Sequence, residues 1–319
     1  MEAILVTGGA GYIGSHIIEL LIKKKFKVFI IDNLSTGHKR LINKKAKFIS
    51  ANINQHKLIR KIIQKNNIQS VIHLAAKISV PESEKKPKIY YENNVKGTLN
   101  LLRAIKKTSV KNFIFSSTAA VYNDKISYVG ELSKTTPKSV YGFTKLKCEK
   151  LIKRKFNKNY AILRYFNVVG ASPSKKIGQI NKNGQLFKNL SLALKKKTPI
   201  FNVYGGDYET TDGTCVRDFI HVYDLADIHI KTLFKINATN ASVTLNCGYG
   251  KGFSVNEVVN EFRNFSKKRV KINMKKRRKG DLVKIIANVN KLKKFLKWQP
   301  KYYSLRKMVK SSIDWEKNV

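Results

Sequence analysis

Thr7-Gly8-Gly9-Ala10-Gly11-Tyr12-Ile13-Gly14 is the stretch on which the fold turns. It satisfies Gly-x-Gly-x-x-Gly through Gly9, Gly11 and Gly14, and equally Gly-x-x-Gly-x-x-Gly through Gly8, Gly11 and Gly14. The glycines follow a short apolar run, Ala3 to Thr7. They open a helical pattern in which Ile13, Ile17, Ile18, Leu21 and Ile22 share a face and Lys23 to Lys25 close the end. Strand, glycine turn and helix form the context in which such a pattern binds a dinucleotide. Missing side chains let the backbone approach a pyrophosphate, and the helix N-terminus offers amide donors and partial positive charge. Asp32 ends the next strand. A carboxylate there accepts hydrogen bonds from both adenosine ribose hydroxyls and repels a 2′-phosphate, favouring NAD over NADP.

Outward from this turn the chain alternates. Lys27 to Ile31, Ala46 to Ser50, Ser70 to Ala75, Lys111 to Ser116 and Tyr160 to Tyr165 read as strands, with helical stretches at about 55–66, 84–107 and 141–156 between them. The pattern predicts an α/β fold, a Rossmann-type doubly wound parallel sheet with helices on both faces. After Gly170 the rhythm breaks into a polar loop (Gly178, Asn181, Asn183, Gly184), a helix at about 185–196 and strand-like pieces near 200, 215–221 and 243–247. We therefore expect an NAD-binding domain over 1–170, with returning segments near 214–248. A smaller C-terminal substrate-binding domain is expected over 171–319.

Composition narrows the classes. With 319 residues, 42% hydrophobic and 10% aromatic, the chain can bury a core and is not disordered. No apolar run reaches the roughly 20 residues of a membrane-spanning helix, and the N-terminus lacks a secretory leader's pattern. Cys148, Cys215 and Cys247 have no metal-ligand spacing, and their odd number suits a reducing compartment, so a cytoplasmic protein without a metal is expected. Sixty-four basic against 20 acidic residues give a net charge of +44. The lysines are spread along the chain among Ile and Asn, and the runs Lys23 to Lys25, Lys195 to Lys197 and Lys275 to Lys279 lack flanking aromatics that could stack bases. Dispersed charge of this kind reads as compositional drift, and a nucleic-acid partner is not expected.

Tyr141-Gly142-Phe143-Thr144-Lys145 carries the chemistry. Residues four apart share a helix face, so the Tyr141 phenol and the Lys145 ammonium can address one site. A phenol near pKa 10 is a poor base at neutral pH, and neighbouring positive charge favours its phenolate. Alone the spacing is common on surfaces. Behind a dinucleotide fold, with Ser116-Ser117-Thr118 closing the preceding strand, it lies where ligands of open α/β sheets bind.

With these motifs stand Thr-Gly-Gly-x-Gly-Tyr-Ile-Gly-Ser-His from Thr7, Leu163-Arg164-Tyr165-Phe166-Asn167 and Asp212-Gly213-Thr214-Cys215-Val216-Arg217-Asp218-Phe219-Ile220-His221-Val222. Together they resemble the UDP-glucose 4-epimerases of the extended short-chain dehydrogenase/reductase family, from Ala3 to about Gln299. The resemblance implies reversible inversion of UDP-glucose and UDP-galactose at sugar C4, by hydride transfer to and from bound NAD through a 4-keto intermediate. Tyr141 would be the base, Thr118 would share its hydrogen bond with the sugar hydroxyl, and Lys145 would hold the nicotinamide ribose. Beside Gly8, Gly11, Gly14 and Asp32, it implies that Tyr12, Ile13, Asn33, Leu74, Ala75, Ala76, Asn93 and Phe166 line the NAD site. Asn167, Arg217, Arg278 and Asp281 would hold UDP, with Tyr204 packed on uracil, and the second domain would be UDP-sugar-binding. The family also implies a homodimer built on helices at 92–107 and 141–156.

This sequence departs from the family at several points. The Gly-Asp-Ile that touches adenine is Ala51-Asn52-Ile53, so Asn52 and Ile53 would make a weakened contact. Lys77 stands in for a displaced lysine, the loop Lys182 to Leu186 lacks the usual uridine neighbours, and Ile285 is neither the large nor the small residue that sorts N-acetyl sugars. Ala119 and Ala120 stand where dehydratases and decarboxylases carry an acid, which argues against both. A 4-epimerase of another UDP-sugar (an N-acetylhexosamine, glucuronate or a pentose) stays open, as does a non-catalytic NAD-binding or nucleic-acid-associated protein. His16, His73 and His221 read as structural, and Trp298 and Tyr302 as packing.

Overall fold

The apolar run at the N-terminus is a strand buried at every position, as a central strand covered on both faces must be. The computed structural model describes residues 2–122, 127–181, 185–277 and 282–319. In chain order the strands are β1 (Ala3–Thr7), β2 (Lys27–Asp32), β3 (Lys47–Ser50), β4 (Ile68–His73), β5 (Asn112–Thr118), β6 (Tyr128–Val129) and β7 (Asn159–Tyr165). They continue with β8 (Asn167–Val169), β9 (Ile200–Tyr204), β10 (Val216–His221), β11 (Val243–Cys247), β12 (Gly252–Ser254), β13 (Lys271–Lys275) and β14 (Lys284–Ala287).

Seven of these form one sheet in the order β11-β7-β5-β4-β1-β2-β3, parallel from β7 through to β3. This is the doubly wound arrangement expected. The chain runs outward from β1 to β3, returns to the other side of β1 at β4, and runs outward again. Ligands of such sheets bind at that reversal, outside the carboxyl ends of β1 and β4. Leu5, Phe29, Ile31, Phe113 and Phe115 bury one face against helices including His56–Lys65 and Gly97–Ile105.

The chain divides into two compact units. The first comprises Met1–Asn123, Ser133–Tyr165 and Ala226–Leu245; the second comprises Asp124–Leu132, Phe166–Leu225 and Asn246–Val319. The segment that returns to the first unit after β10 is Ala226–Leu245, and Asp124–Leu132 joins the second unit from within the N-terminal half. In the second unit β12, β10, β14 and β6 are neighbours in that order, β8 pairs β10, and β13 pairs β9. Phe187, Phe219 and Phe262 pack there ring against ring. Asp218, deep in the Asp-Gly-Thr-x-x-Arg-Asp motif, accepts from the amides of Tyr249, Gly250 and Ala287 and so ties β10 to the turn after β11 and to β14.

One expectation is corrected by local physics. The helix expected over 84–107 is broken into Val80–Lys85, Pro87–Tyr90, a π-helical turn Tyr91–Lys96 and Gly97–Ile105. Lys86 precedes Pro87, which pushes it out of the helical region, to φ −132° and ψ 54°. The helix Val222–Thr239 follows β10 directly, with no glycine or proline between them to mark its start. At several helix ends a lysine occupies the left-handed backbone region that glycine usually fills: Lys25 (φ 62°), Lys267 (φ 54°) and Lys297 (φ 48°). Among the described residues no helix is long and apolar enough to cross a membrane, and no His, Cys, Asp or Glu cluster is placed to hold a metal ion.

His73 shows how tightly the sheet's upper end is tied. The Thr98 hydroxyl donates to Asn94 O at 2.6 Å, so it accepts from His73 Nε2 at 3.0 Å, and His73 Nδ1 in turn accepts from Thr7 Oγ1 at 2.7 Å. The imidazole is neutral. Burial, reinforced by Lys145, lowers its pKa from 6.5 to about 3. An unfolded chain therefore binds a proton at this residue below pH 6.5 that the folded chain refuses, so stability falls as the pH drops through that range. Between pH 7 and pH 5 the wild type should lose about 2 kcal/mol more unfolding free energy than His73→Gln, measured by urea denaturation. Equal losses would show that His73 is not held neutral.

Candidate active site

The glycine turn is a cradle with no room for side chains. Gly8 has φ +74°, and a Cβ on it would lie 2.6 Å from Ala75 N. A Cβ on Gly14 would lie 2.5 Å from Gly8 O. The helix Tyr12–Lys23 therefore starts directly over the end of β1, and Gly11 at its N-cap gives it no side-chain cap. The first-turn amides at Tyr12 and Ile13 face the position where an anion would sit. Tyr12 is half-buried, its phenol pushed well above the ordinary range by its loss of solvent, with its ring edge-on to His16 at 5.4 Å.

Asp32 ends β2 and holds the cradle's shape. Its carboxylate accepts from Ala10 N at 3.0 Å and Leu34 N at 2.8 Å. Asn33 follows with an exposed side chain that accepts from Ser35 N. Asn52 turns its amide oxygen to Asn54 N, while Ile53 is buried against Gly97. After β4, Leu74, Ala75 and Ala76 stay partly exposed, with Leu74 N bonded to Thr7 O. Asn93 donates to Asn94, whose amide grips both backbone groups of Lys77 and the Thr144 hydroxyl. Both asparagines sit in the π-helical turn.

The helix Val140–Lys155 carries Tyr141 and Lys145, and it is positioned from outside itself. Ser139 caps it, Glu84 accepts from Val140 N at 2.8 Å, and Ser83 accepts from Tyr141 N at 3.1 Å. Sequence reasoning missed Ser83, Glu84 and Asn94, which carry no motif signal; their role arises only from the packing of 80–96 on this helix. The Thr118 hydroxyl, at the end of β5, lies close enough to Tyr141 to pull its phenol down. Lys145 is buried, 3.4 Å from Ser116 Oγ and 4.6 Å above the Phe115 ring. Burial pushes the Tyr141 phenol up to about 12, against the pull of Thr118. In the chain without its cofactor the ammonium of Lys145 does not reverse this. Burial lowers Lys145 itself to about 8, with Cys148 and Glu149 opposing. The chain alone thus keeps Tyr141 protonated beside an amine with a weakened grip on its proton.

In the second unit, Arg217 on β10 is register partner of Ile285 on β14, and Ile285 is buried. Tyr204 ends β9, Asn167 begins β8 with an exposed side chain, and Phe166 is buried with its amide on Cys247 O. Arg278, Asp281 and most of the 182–186 loop lie outside the described residues.

A model of the NAD dependent epimerase/dehydratase family matches residues 4–248. The chain is 37% identical to the UDP-glucose 4-epimerase of Azospirillum brasilense over 99% of its own length and 92% of that protein. It superposes on the UDP-glucose 4-epimerase of Bifidobacterium longum, solved with NAD+ and UDP, at a TM-score of 0.92 and 34% identity, covering 99% of this chain and 98% of that one. The enzyme of Stenotrophomonas maltophila, solved with NAD and formylated UDP-arabinopyranose, gives a TM-score of 0.95 at 33% identity, covering 100% and 98%.

The cradle makes a direct prediction. Gly14→Ala drives a methyl group into Gly8 O, so the purified variant should carry less than about a tenth of the dinucleotide found in wild type, assayed after acid release. Full loading would mean that the turn does not bind it.

Proposed function

The chain belongs to the NAD dependent epimerase/dehydratase family, and on that premise we propose that it is a UDP-glucose 4-epimerase with resident NAD, interconverting UDP-glucose and UDP-galactose. The observation that carries this reading is Tyr141 beside Thr118 and one helical turn from the buried Lys145, in the unit that holds the glycine cradle. The residues present fit the cofactor: a cradle closed to any Cβ, a helix N-terminus without a side-chain cap, and an acid at the end of β2. When bound, NAD+ supplies the acceptor and donor of hydride at sugar carbon 4.

The chain's own groups do the rest. Tyr141 Oη takes the proton of the sugar 4-hydroxyl and returns it, while the Thr118 hydroxyl orients both oxygens. Lys145, protonated at neutral pH, holds ribose hydroxyls, and its charge together with that of a bound nicotinamide ring would favour the Tyr141 phenolate that the chain alone does not form. Glycine turn, Asp32 and the segments at 33, 52–53, 74–76, 93 and 166 hold the dinucleotide. Arg217 with Arg278 grips the diphosphate by planar, bidentate hydrogen bonds; Asn167 and Asp281 add polar contacts and Tyr204 packs on uracil. Binding concentrated on UDP leaves the sugar free to turn between the two half-reactions. The same reading makes the enzyme a cytoplasmic homodimer built on the helices at 97–105 and 140–155, the second of which exposes Phe143.

Purified protein given UDP-galactose and no added NAD+ should form UDP-glucose. Tyr141→Phe should retain its cofactor and lose about a thousandfold in turnover. No product, even with NAD+ supplied, would sink the hexose assignment and move the test to UDP-N-acetylglucosamine and UDP-glucuronate.

A further inference from the structure

Beneath Tyr141 and Lys145 lies a charge pair that the proposed chemistry does not itself use. Arg164, on β7, and Glu149, on the helix that bears Tyr141, are both almost fully buried. They meet at two contacts, Nη2 to Oε2 at 2.7 Å and Nε to Oε1 at 3.0 Å. A buried ion pair is an ineffective stabiliser, because apolar residues of similar volume often hold a core equally well. Its partners tell what it does. Glu149 Oε1 also accepts from Ser117 Oγ at 2.5 Å, and Arg164 Nη1 donates to Tyr122 Oη at 3.0 Å while the guanidinium lies 4.9 Å from the Tyr122 ring centre. Ser117 and Tyr122 flank Thr118, whose hydroxyl caps the short turn between them by accepting from Ala120 N. The pair therefore grips the chain on both sides of Thr118.

The second half of the arrangement is electrostatic. Tyr141, Lys145 and Glu149 are spaced by four along one helix and so share a face. The titratable groups that act on the Lys145 amine are His73 from β4 and Cys148 and Glu149 from its own helix, which also carries Tyr141 one turn earlier; Phe115 and Ser116 pack against it from β5. Burial keeps His73 and Cys148 uncharged, the thiol pushed up to about 11. Glu149 is the carboxylate in that set.

We propose that the buried Glu149–Arg164 pair positions the proton-transfer site, clamping the Ser117-to-Tyr122 segment that carries Thr118 and setting a fixed negative charge one helical turn from the Lys145 ammonium. The proposal rests on the reading of Tyr141 and Lys145 given above. It makes Glu149 and Arg164 positioning residues, touching neither sugar nor cofactor.

The test uses the holoenzyme labelled with 13C at lysine Cε. The Lys145 resonance, identified by its absence in Lys145→Arg, should titrate below the ordinary lysine value, as its burial dictates. In Glu149→Gln, which keeps the shape and an acceptor oxygen but not the charge, that titration should shift to lower pH, and the alkaline limb of kcat should move with it. Tyr122→Phe and Ser117→Ala each release one side of the clamp. Each should lower kcat about tenfold with KM and melting temperature little changed, the effect of a small misplacement of reacting groups. A folded Glu149→Gln with an unmoved Lys145 titration, or wild-type kcat in both milder variants, would overturn the proposal. Absence of turnover in the wild type would sink the epimerase reading instead, and the lysine titration would still judge the pair.

Discussion

The distance between the start of the first helix and the end of β1 constrains everything above the sheet. With Gly14 packed on Gly8 O, the helix begins within reach of whatever lies over the strand end, and a single methyl group would force the two apart. Ala75 comes equally close to Gly8 from β4. The cradle is therefore a three-way junction of β1, its helix and the segment after β4, placed where the sheet reverses direction. Asp32 completes it by bonding Ala10 N, so the residue suited to recognise a ribose also fixes the glycine turn. Recognition and architecture share the same atoms there.

The sheet was legible because its signals are local. An apolar run followed by glycines, then an amphipathic helix, names a strand, a turn and a helix without reference to the rest of the chain. The Tyr141–Lys145 pairing was legible for the same reason, being a helical spacing. The break at Lys86 also has a local cause in Pro87, which an apolar periodicity overrides when read alone. What sequence could not supply were relations across the fold. Ser83 and Glu84 reach the amides of the Val140–Lys155 helix from more than fifty positions away. The state of the Tyr141 phenol depends on its burial, which no spacing encodes and which raises it in the chain alone. Ile285 stood out in the sequence, but its pairing with Arg217 across β10 and β14 came only with the strands.

The charge imbalance looks different once the acids are placed. Many of the chain's few carboxylates are inside or at joints: Glu149 on Arg164, Glu316 on the buried Lys188, Asp32 on the glycine turn, Asp218 on three amides, and Asp224 on Tyr249 and the backbone at 301–302. In those places a carboxylate has fixed partners and cannot be exchanged freely. Several of the surface ion pairs are between neighbours four apart on one helix, contacts of small energetic weight. The lysine excess has accumulated where solvent screens it, and the acids persist where geometry demands them.

The lysines at helix ends extend that pattern to the backbone. Lys25, Lys267 and Lys297 hold left-handed conformations, each of which costs an L-residue about 1 kcal/mol relative to glycine. Lysine at these positions preserves the chain reversal while giving up part of its conformational ease. The composition of this protein is thus recorded in its torsion angles as well as on its surface, and these three corners form a reserve of stability that glycine could release far from any reacting atom.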